Sequence, residues 1–481
     1  MATPRTPRGS GPARLPGQPV QPRSAAGEAA GPRSNVVPLR TGARGVSGGA
    51  AGARKQGTRI PGSRITGSMG ANNEWVEKTR RAPRDFFNLF KGQSPEFYWV
   101  FFVTILILCG GLIMVLSSSG IVGLNEGTGV WSYTGKQLFF VAVGFVGLGI
   151  ASKLPMQTYW RLAIGYYFVW LLLEFVPFLP LIGKTVNGNT AWINLGLFTL
   201  QPSEFMKLAM ILVVARLMTT FSNESEFLLR IPGTNFERYL PTIWRFLLVV
   251  GLAIFPVVVG KDMGTSMVMG MIIFGMSFLA DIPRRDFKWP LIVAGVAVAI
   301  GLFGGTNRIA RIIAWIWPDS TQGQMYSWQA QHGIWAIAGG GLTGVGLGNS
   351  KLKWSWIPEV QNDYIFAVIG EELGMAGALL TIGLFVLLAV RLYKIFLRCD
   401  TLFARMTTMG VILWITVQAF INIAVVLQLL PVLGVPLPLV SAGGSSMVSG
   451  IAAIGVVLSF ERENHIRLGG RPAVARAGFR R

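Results

Sequence analysis

Residues 97–118 read FYWVFFVTILILCGGLIMVLSS, twenty-two residues without a charge. As a helix this run is about 33 Å long at 1.5 Å per residue, enough to cross the roughly 30 Å hydrocarbon layer of a bilayer. The rest of the chain follows the same pattern. It is 51% apolar and only 14% charged, with a mean hydropathy of +0.50, whereas a soluble globular protein carries about 25% charged residues. A water-soluble enzyme is excluded on that balance, and an all-α integral membrane protein is expected.

Ten runs long enough to span are expected, near 97–118, 136–152, 158–177, 203–220, 242–260, 264–281, 289–304, 365–390, 406–430 and 444–460. The net charge of +21 is concentrated at the ends: residues 1–91 hold 16 Lys/Arg against 4 Asp/Glu, and residues 461–481 hold 6 against 2. Basic tails of this kind suit an anionic membrane face and give no support to a nucleic-acid partner. With the N-terminus inside, the connections expected to be cytoplasmic carry Lys153; Arg216, Arg230, Arg238 and Arg245; Arg284, Arg285 and Lys288; and Arg391, Lys394, Arg398 and Arg405. That satisfies the positive-inside rule and puts both tails in the cytoplasm.

Three regions are expected. Residues 1–95 form a disordered basic tail, poor in large apolar residues, with an amphipathic segment near 75–90. Residues 96–460 form the ten-helix membrane domain, and 461–481 a short basic tail. No signal peptide is expected, because the first long apolar run begins near Phe97 without a suitably placed cleavage site. Two cysteines, Cys109 and Cys399, imply no disulfide framework. P-loop, dinucleotide and Cys/His metal motifs are absent, and His332 and His465 are the only histidines.

Chemistry is sought in two long outer connections, 177–202 and 305–364, because long loops in compact proteins are functional or disordered and their aromatic content argues against disorder. Asp363 stands where the second of these becomes an apolar span. It reads first as the N-cap of that helix, with a carboxylate able to take a proton from a hydroxyl as the alternative, and spacing does not separate the two. Glu371 and Glu372 follow one to two turns later, below such a site. Arg308 and Arg311 share a helical face and present two guanidinium forks suited to pyrophosphate, or else snorkel at the interface. Glu204 and Lys207, three residues apart, form either an internal ion pair or part of a wet cleft. Asp262 follows Lys261 in a break between two spans, where a solvated turn is the alternative. Prolines and glycines between Pro431 and Ser446 interrupt an apolar region, and lipid tolerates such backbone only where protein covers it, so a re-entrant loop is expected there.

Taken in order, Asn187-Gly188 to Trp192-Ile193, Gln201-Pro202-Ser203-Glu204-Phe205 with Lys207, Asp262-Met263-Gly264-Thr265, Arg308 and Arg311 with Pro318, Gly344 to Ser350, Pro358-Glu359 with Asp363-Tyr364-Ile365-Phe366-Ala367 and Gly370-Glu371-Glu372, and Leu430-Pro431 to Ser446 resemble the SEDS (FtsW/RodA) family of bacterial cell-wall proteins. With the first two stretches taken as one block, the six ordered blocks cover about 180–450. The resemblance implies ten transmembrane helices with both ends cytoplasmic, a long structured outer loop between spans seven and eight, and a glycosyltransferase that polymerises lipid II at the outer face of the cytoplasmic membrane. It implies Asp363 as the essential acid, here a general base. Lys207, Glu204, Arg308, Arg311, Glu359, Asp262, Ser441, Ser445 and Ser446 are the expected substrate-binding positions, and Mg or Mn is the cation considered for the pyrophosphate. The implied partners are a class B penicillin-binding protein and other divisome membrane proteins. Relatives commonly carry His-Thr where this chain has Gln361-Asn362, so no histidine relay precedes Asp363. The basic tails favour the division branch and a septal location, with an elongation-type polymerase or a lipid II flippase as the alternatives.

Overall fold

The structure is a computed structural model and describes residues 91–125, 127–186, 188–196, 198–223, 236–279, 295, 306–317, 321–351 and 360–469. The tail 1–90, the expected amphipathic segment and the last residues from 470 lie outside them.

Helix α1 (Pro95–Asn125) opens on Ser94, whose Oγ accepts the Phe97 N–H at 3.1 Å, with Pro95 in the first-turn position that needs no donor. Helices α2 (Ser132–Lys153) and α3 (Met156–Phe175) follow, parted at Leu154-Pro155, and α3 ends in a 3-10 turn at Pro177. After a small sheet come α4 (Pro202–Asn223), α5 (Phe236–Val259), α6 (Met263–Leu279), α7 (Thr306–Ile316) and α8 (Thr321–Gly340). Next are a short α9 (Val360–Asp363), α10 (Ile365–Glu372), α11 (Gly374–Arg398), α12 (Leu402–Val426) and α13 (Gly444–Arg467).

Among the described residues, six helices are long and apolar enough to cross a membrane: α1, α2, α3, α11, α12 and α13, while α5 and α6 contain shorter apolar stretches. The chain is therefore a multi-pass membrane protein. Expected span 203–220 falls on α4, which carries Glu204, Lys207 and Arg216 and so is not among the six. Expected span 289–304 lies outside the described residues except for Gly295. The expected eighth span is broken, because Gly374 with φ +68° separates α10 from α11. Helix α13 runs on to Arg467, into the stretch expected as tail.

The all-α expectation needs one correction. Strands β1 (Gly183–Val186), β2 (Asn189–Asn194) and β3 (Thr199–Leu200) form an antiparallel sheet in that order, pairing Lys184 with Trp192 and Ile193 with Leu200. Asn187-Gly188 between Thr/Val and Thr/Trp/Ile runs is a strong hairpin signal, and strands of two to six residues leave no trace in a search for membrane-length runs. The Thr190 N–H donates to the Gly260 carbonyl, seating the sheet on the α5–α6 turn.

The opposite end of the bundle is ionic. Glu96 at the start of α1 meets Arg391 and Arg398 at 3.4 Å each, and Lys394 at 3.9 Å, all near the end of α11. Arg398 also pairs with Glu461 at 3.1 Å, and Glu463 accepts the Met156 N–H at 2.7 Å. Helices α12 and α13 sit innermost, each with 72% of its apolar window buried against 28–44% for the other four. Between them residues 427–443 take no regular form and bury Val435, Leu437, Leu439, Val440 and Ser441, as the re-entrant loop expected at 431–446 would.

Candidate active site

Asp363 ends the short helix α9 and is half-buried. The cap position of α10 belongs to Tyr364, which makes no side-chain cap bond, so the N-cap expected for Asp363 is displaced by one residue. Two bonds fix the local backbone: Asn422 Nδ2 donates to the Asp363 carbonyl at 2.8 Å, and the Ala442 N–H donates to the Gln361 carbonyl at 3.0 Å. Val440, two residues before Ala442, presses on α1 so closely that a Cβ at Gly111 would lie 2.8 Å from its Cα. Gly111 precedes Ser117 by six residues on α1, about 9 Å at the helical rise, and Ser117 Oγ donates to Glu372 at 2.6 and 2.7 Å. Asp363 thus lies deeper in the bundle than the Glu372 end of α10.

The carboxylate lies beside Gly434 in the 427–443 segment. Its Oδ2 would be 3.5 Å from a Cβ at Gly434, a residue with φ +67°. Arg311 Nη1 reaches the Val432 carbonyl at 3.5 Å, and Trp315 Nε1 donates to the Gln428 carbonyl at 2.8 Å, so α7 docks on the same segment. The buried Tyr364 hydroxyl makes no hydrogen bond and feels the charges of both Asp363 and Arg311. Arg308 falls on α7 with its side chain outside the described set, and Glu359 lies outside the described residues.

The remaining expected positions gather elsewhere. Lys207 and Glu204 are 1% exposed each and pair at 2.8 Å. Lys207 also donates to Gln418 Oε1 at 2.9 Å and stands 4.9 Å from the Trp414 ring centroid. Trp414 Nε1 donates to the same Gln418 oxygen at 2.8 Å, and Gln418 Nε2 reaches the Pro436 carbonyl at 3.0 Å. The pair is an internal network between α4, α12 and the 427–443 segment. Asp262 caps α6, its Oδ1 accepting the Thr265 N–H at 3.1 Å, while its Oδ2 accepts from Gln201 Nε2 at 2.8 Å. Burial pushes the Asp262 carboxyl above the usual carboxylate range.

The serines hold backbone. Ser441 Oγ accepts the Leu437 N–H at 2.8 Å and Ser445 Oγ the Gln201 N–H at 2.9 Å; Ser446 is buried in the first turn of α13. Glu371 and Glu372 bind the loop after α8: Glu371 accepts from the Lys351 N–H at 2.9 Å and from Ser350 Oγ at 2.5 Å, and Glu372 accepts the Ser350 N–H at 3.3 Å. Among the described residues no group of three or more His, Cys, Asp or Glu side chains is arranged to hold a metal ion.

Asn422, Gln418 and Gly434 were not singled out by the sequence reading. The available signal is their chemistry: two amides four residues apart inside an apolar run, and a glycine between two prolines.

The FTSW_RODA_SPOVE family model, described as "Cell cycle protein", matches residues 98–466. The "Probable peptidoglycan glycosyltransferase FtsW" of Mycobacterium tuberculosis is 33% identical over 381 residues, covering 79% of this chain and 70% of that protein. "Stage V sporulation protein E" of Bacillus subtilis is 34% identical over 382 residues, 77% of this chain and 98% of the relative. Among solved structures, a chain from "Structural coordination of polymerization and crosslinking by a peptidoglycan synthase complex" aligns with a TM-score of 0.60 at 24% identity, over 76% of this chain and 98% of the other. The rod shape determining protein RodA of Thermus thermophilus aligns at 0.55 and 22% identity, over 78% and 99%. At these identities the structural likeness speaks for the fold.

Proposed function

The chain belongs to the FtsW/RodA/SpoVE family of cell cycle proteins, and from that premise we propose that it is a peptidoglycan glycosyltransferase that polymerises lipid II into glycan strands during cell division. The single observation that carries the site assignment is Asp363, a carboxylate at the end of α9, lodged between α12 and the glycine turn near an arginine-bearing helix.

The reaction is a single displacement. The 4-hydroxyl oxygen of the acceptor sugar attacks the anomeric carbon of the donor, Asp363 takes the hydroxyl proton, and the bond from that carbon to the lipid pyrophosphate breaks with its electrons leaving on the phosphate. One base and a stabilised leaving group suffice. Arg311, with Arg308 one turn earlier, meets the pyrophosphate charge. Lys207, Glu204, Asp262, Ser441, Ser445 and Ser446 act through the walls they hold, and Glu359 through the approach to Asp363. A divalent cation would neutralise pyrophosphate charge, and Mg2+ needs only one or two carboxylates beside substrate phosphates, so a described cluster of three is not required for it.

In this reading ten helices cross the cytoplasmic membrane at the septum, both tails are cytoplasmic, the long connection between spans seven and eight is outside, and a class B penicillin-binding protein and other divisome proteins are the partners. The ionic end built from Glu96, Arg391, Lys394 and Arg398 supports a cytoplasmic placement for that end by the positive-inside rule.

The test is lipid II polymerisation by wild type and Asp363→Ala side by side, with the transpeptidase partner, with and without a chelator. Loss of a general base lowers the rate by about 10²–10⁴-fold. Undiminished strand synthesis in the variant sinks the mechanism, and lipid II translocation without strands in the wild type favours a flippase.

A further inference from the structure

The chain between α3 and β1 reads Phe175-Val-Pro177-Phe-Leu-Pro180-Leu-Ile-Gly183, and residues 175–203 hold a single charge, Lys184. This connection is built rather than slack. The Leu179 N–H donates to the Val176 carbonyl at 3.0 Å, and the Ile182 and Gly183 N–H groups donate to the Leu179 carbonyl at 3.3 and 2.8 Å. Pro177 and Pro180 carry no N–H at all. Gly183 folds back against the Pro177 carbonyl so closely that no Cβ fits between them. The Asn194 N–H donates to the Ile182 carbonyl at 2.8 Å, which brings Leu195 beside the same loop.

The loop turns its apolar side chains out of the fold. Leu181 is 96% exposed, more than any other large apolar side chain among the described residues, and Leu179, Ile182 and Leu195 are exposed with it. Lipid is the cover that the neighbouring helix points to. On α3 the exposed Phe168, Leu172 and Phe175 are four and three residues apart and so share one face, and only 28% of the α3 apolar window is buried by protein. Leu179, four residues after Phe175, continues that spacing past the helix end. Irregular backbone near hydrocarbon must use its own polar groups, and here turns and prolines leave few N–H groups to solvate. The exposed Lys184 follows two residues after Ile182, placed to reach lipid phosphates from an apolar surface.

We propose that residues 178–182 with Leu195 form an apolar anchor seated in the lipid leaflet at the end of the bundle opposite the ionic cluster, with Lys184 among the headgroups. The sheet that carries this anchor is tied to the bundle by the Thr190 N–H on the Gly260 carbonyl, two residues before Asp262. Lipid then steadies the sheet on the side that protein leaves open. The inference stands on membrane insertion and does not depend on the role of Asp363.

The experiment uses the full-length protein in nanodiscs of phosphatidylethanolamine and phosphatidylglycerol, in a Cys109→Ser background, where the remaining Cys399 is buried. A nitroxide is attached in turn at Leu181→Cys, Leu179→Cys, Leu172→Cys on the lipid face of α3, and Thr185→Cys on the exposed part of β1. Its collisions with oxygen, which dissolves in hydrocarbon, are compared with its collisions with a water-soluble nickel chelate. Oxygen collisions are expected to dominate at Leu181 and Leu179 as they do at Leu172, with a depth of about 5–10 Å into the headgroup and acyl boundary. The order reverses at Thr185. A side chain as exposed as Leu181 holds no core contact, so its label should leave the unfolding midpoint unchanged; if it does not, Leu179 decides. Chelate-dominated collisions at the deciding position overturn the proposal, because the loop then stands in water. Low collision rates with both reagents overturn it as well, since another protein or a second copy of this chain then covers the loop.

Discussion

Replacing Lys207 by methionine tests whether the most deeply buried cation among the described residues binds substrate or holds the fold. The side chain is 1% exposed and its Nζ lies 2.8 Å from Glu204 Oε1. At an effective dielectric of about 20 the attraction at that distance is about 6 kcal/mol. Lys207→Met forfeits it, and Glu204, whose Oε2 already lacks a hydrogen-bond partner, is left as an uncompensated buried carboxylate. Gln418 Oε1 keeps the Trp414 donor, so the damage falls on Glu204. The expected net cost is about 3–5 kcal/mol, the range for breaking one side of a buried pair. Methionine spans nearly the same volume, so little of this is cavity. The double variant Lys207→Met with Glu204→Gln removes both charges and is expected to regain most of the loss. The assay is thermal unfolding of the protein in detergent or nanodiscs, run beside lipid II polymerisation. An unchanged unfolding midpoint in Lys207→Met together with a raised KM for lipid II would refute the reasoning and place the ammonium at the pyrophosphate.

Two further outcomes follow from groups outside the spans. Because burial raises the Asp262 carboxyl, the folded chain binds a proton there more tightly than the unfolded chain does, so this residue's contribution to stability falls as pH rises above the ordinary aspartate range. Asp262→Asn should flatten that part of the pH–stability curve while keeping an oxygen for the Thr265 N–H, and a slope unaltered by the substitution counts against it. Burial pushes the Cys399 thiol up to about 12, so in a Cys109→Ser background a maleimide at about pH 8 should label only unfolded protein; rapid labelling of the folded protein would contradict the placement.

The membrane architecture was legible because a bilayer imposes one length and a strong polarity rule, so apolar runs at residues 97–118, 136–152 and 158–177 map directly onto α1, α2 and α3. The sheet was not, since strands of two to six residues carry no membrane signal, and the Asn187-Gly188 sequence falls inside a stretch legible only as a structured connection. Asp363 could be placed beside a span but not at the end of a separate short helix, because α9 and α10 part at Tyr364 (φ −113°, ψ 17°), where no proline or glycine marks a break in the sequence. Glu371 and Glu372 read from spacing as acids beneath a site, yet their oxygens are spent on Ser117, Ser350 and Lys351, partners up to 255 residues away. Asn422 was hidden for a related reason: averaging over a window dilutes one amide among leucines and valines, and its role depends on two carbonyls elsewhere in the chain.

Helix α12 joins these observations. Trp414, Gln418 and Asn422 recur every four residues and so share one face, and their polar atoms bind in turn Gln418 from Trp414, Lys207 and Pro436 from Gln418, and Val435 and Asp363 from Asn422. A lipid-facing helix could not carry such a stripe, because amides in hydrocarbon lack partners; α12 carries it because 72% of its apolar window is covered by protein. The stripe runs from the ion pair on α4 to the Asp363 main-chain carbonyl at the end of α9, and at two successive turns it grips the irregular segment at Pro436 and Val435. Lys207 and the Asp363 backbone are thereby tied to adjacent residues of that segment, Lys207 to Pro436 through Gln418 and Asp363 to Val435 through Asn422. A loss of activity in Lys207→Met at unchanged KM is then the signature of a wall moving behind the base, distinct from the signature of a missing substrate contact.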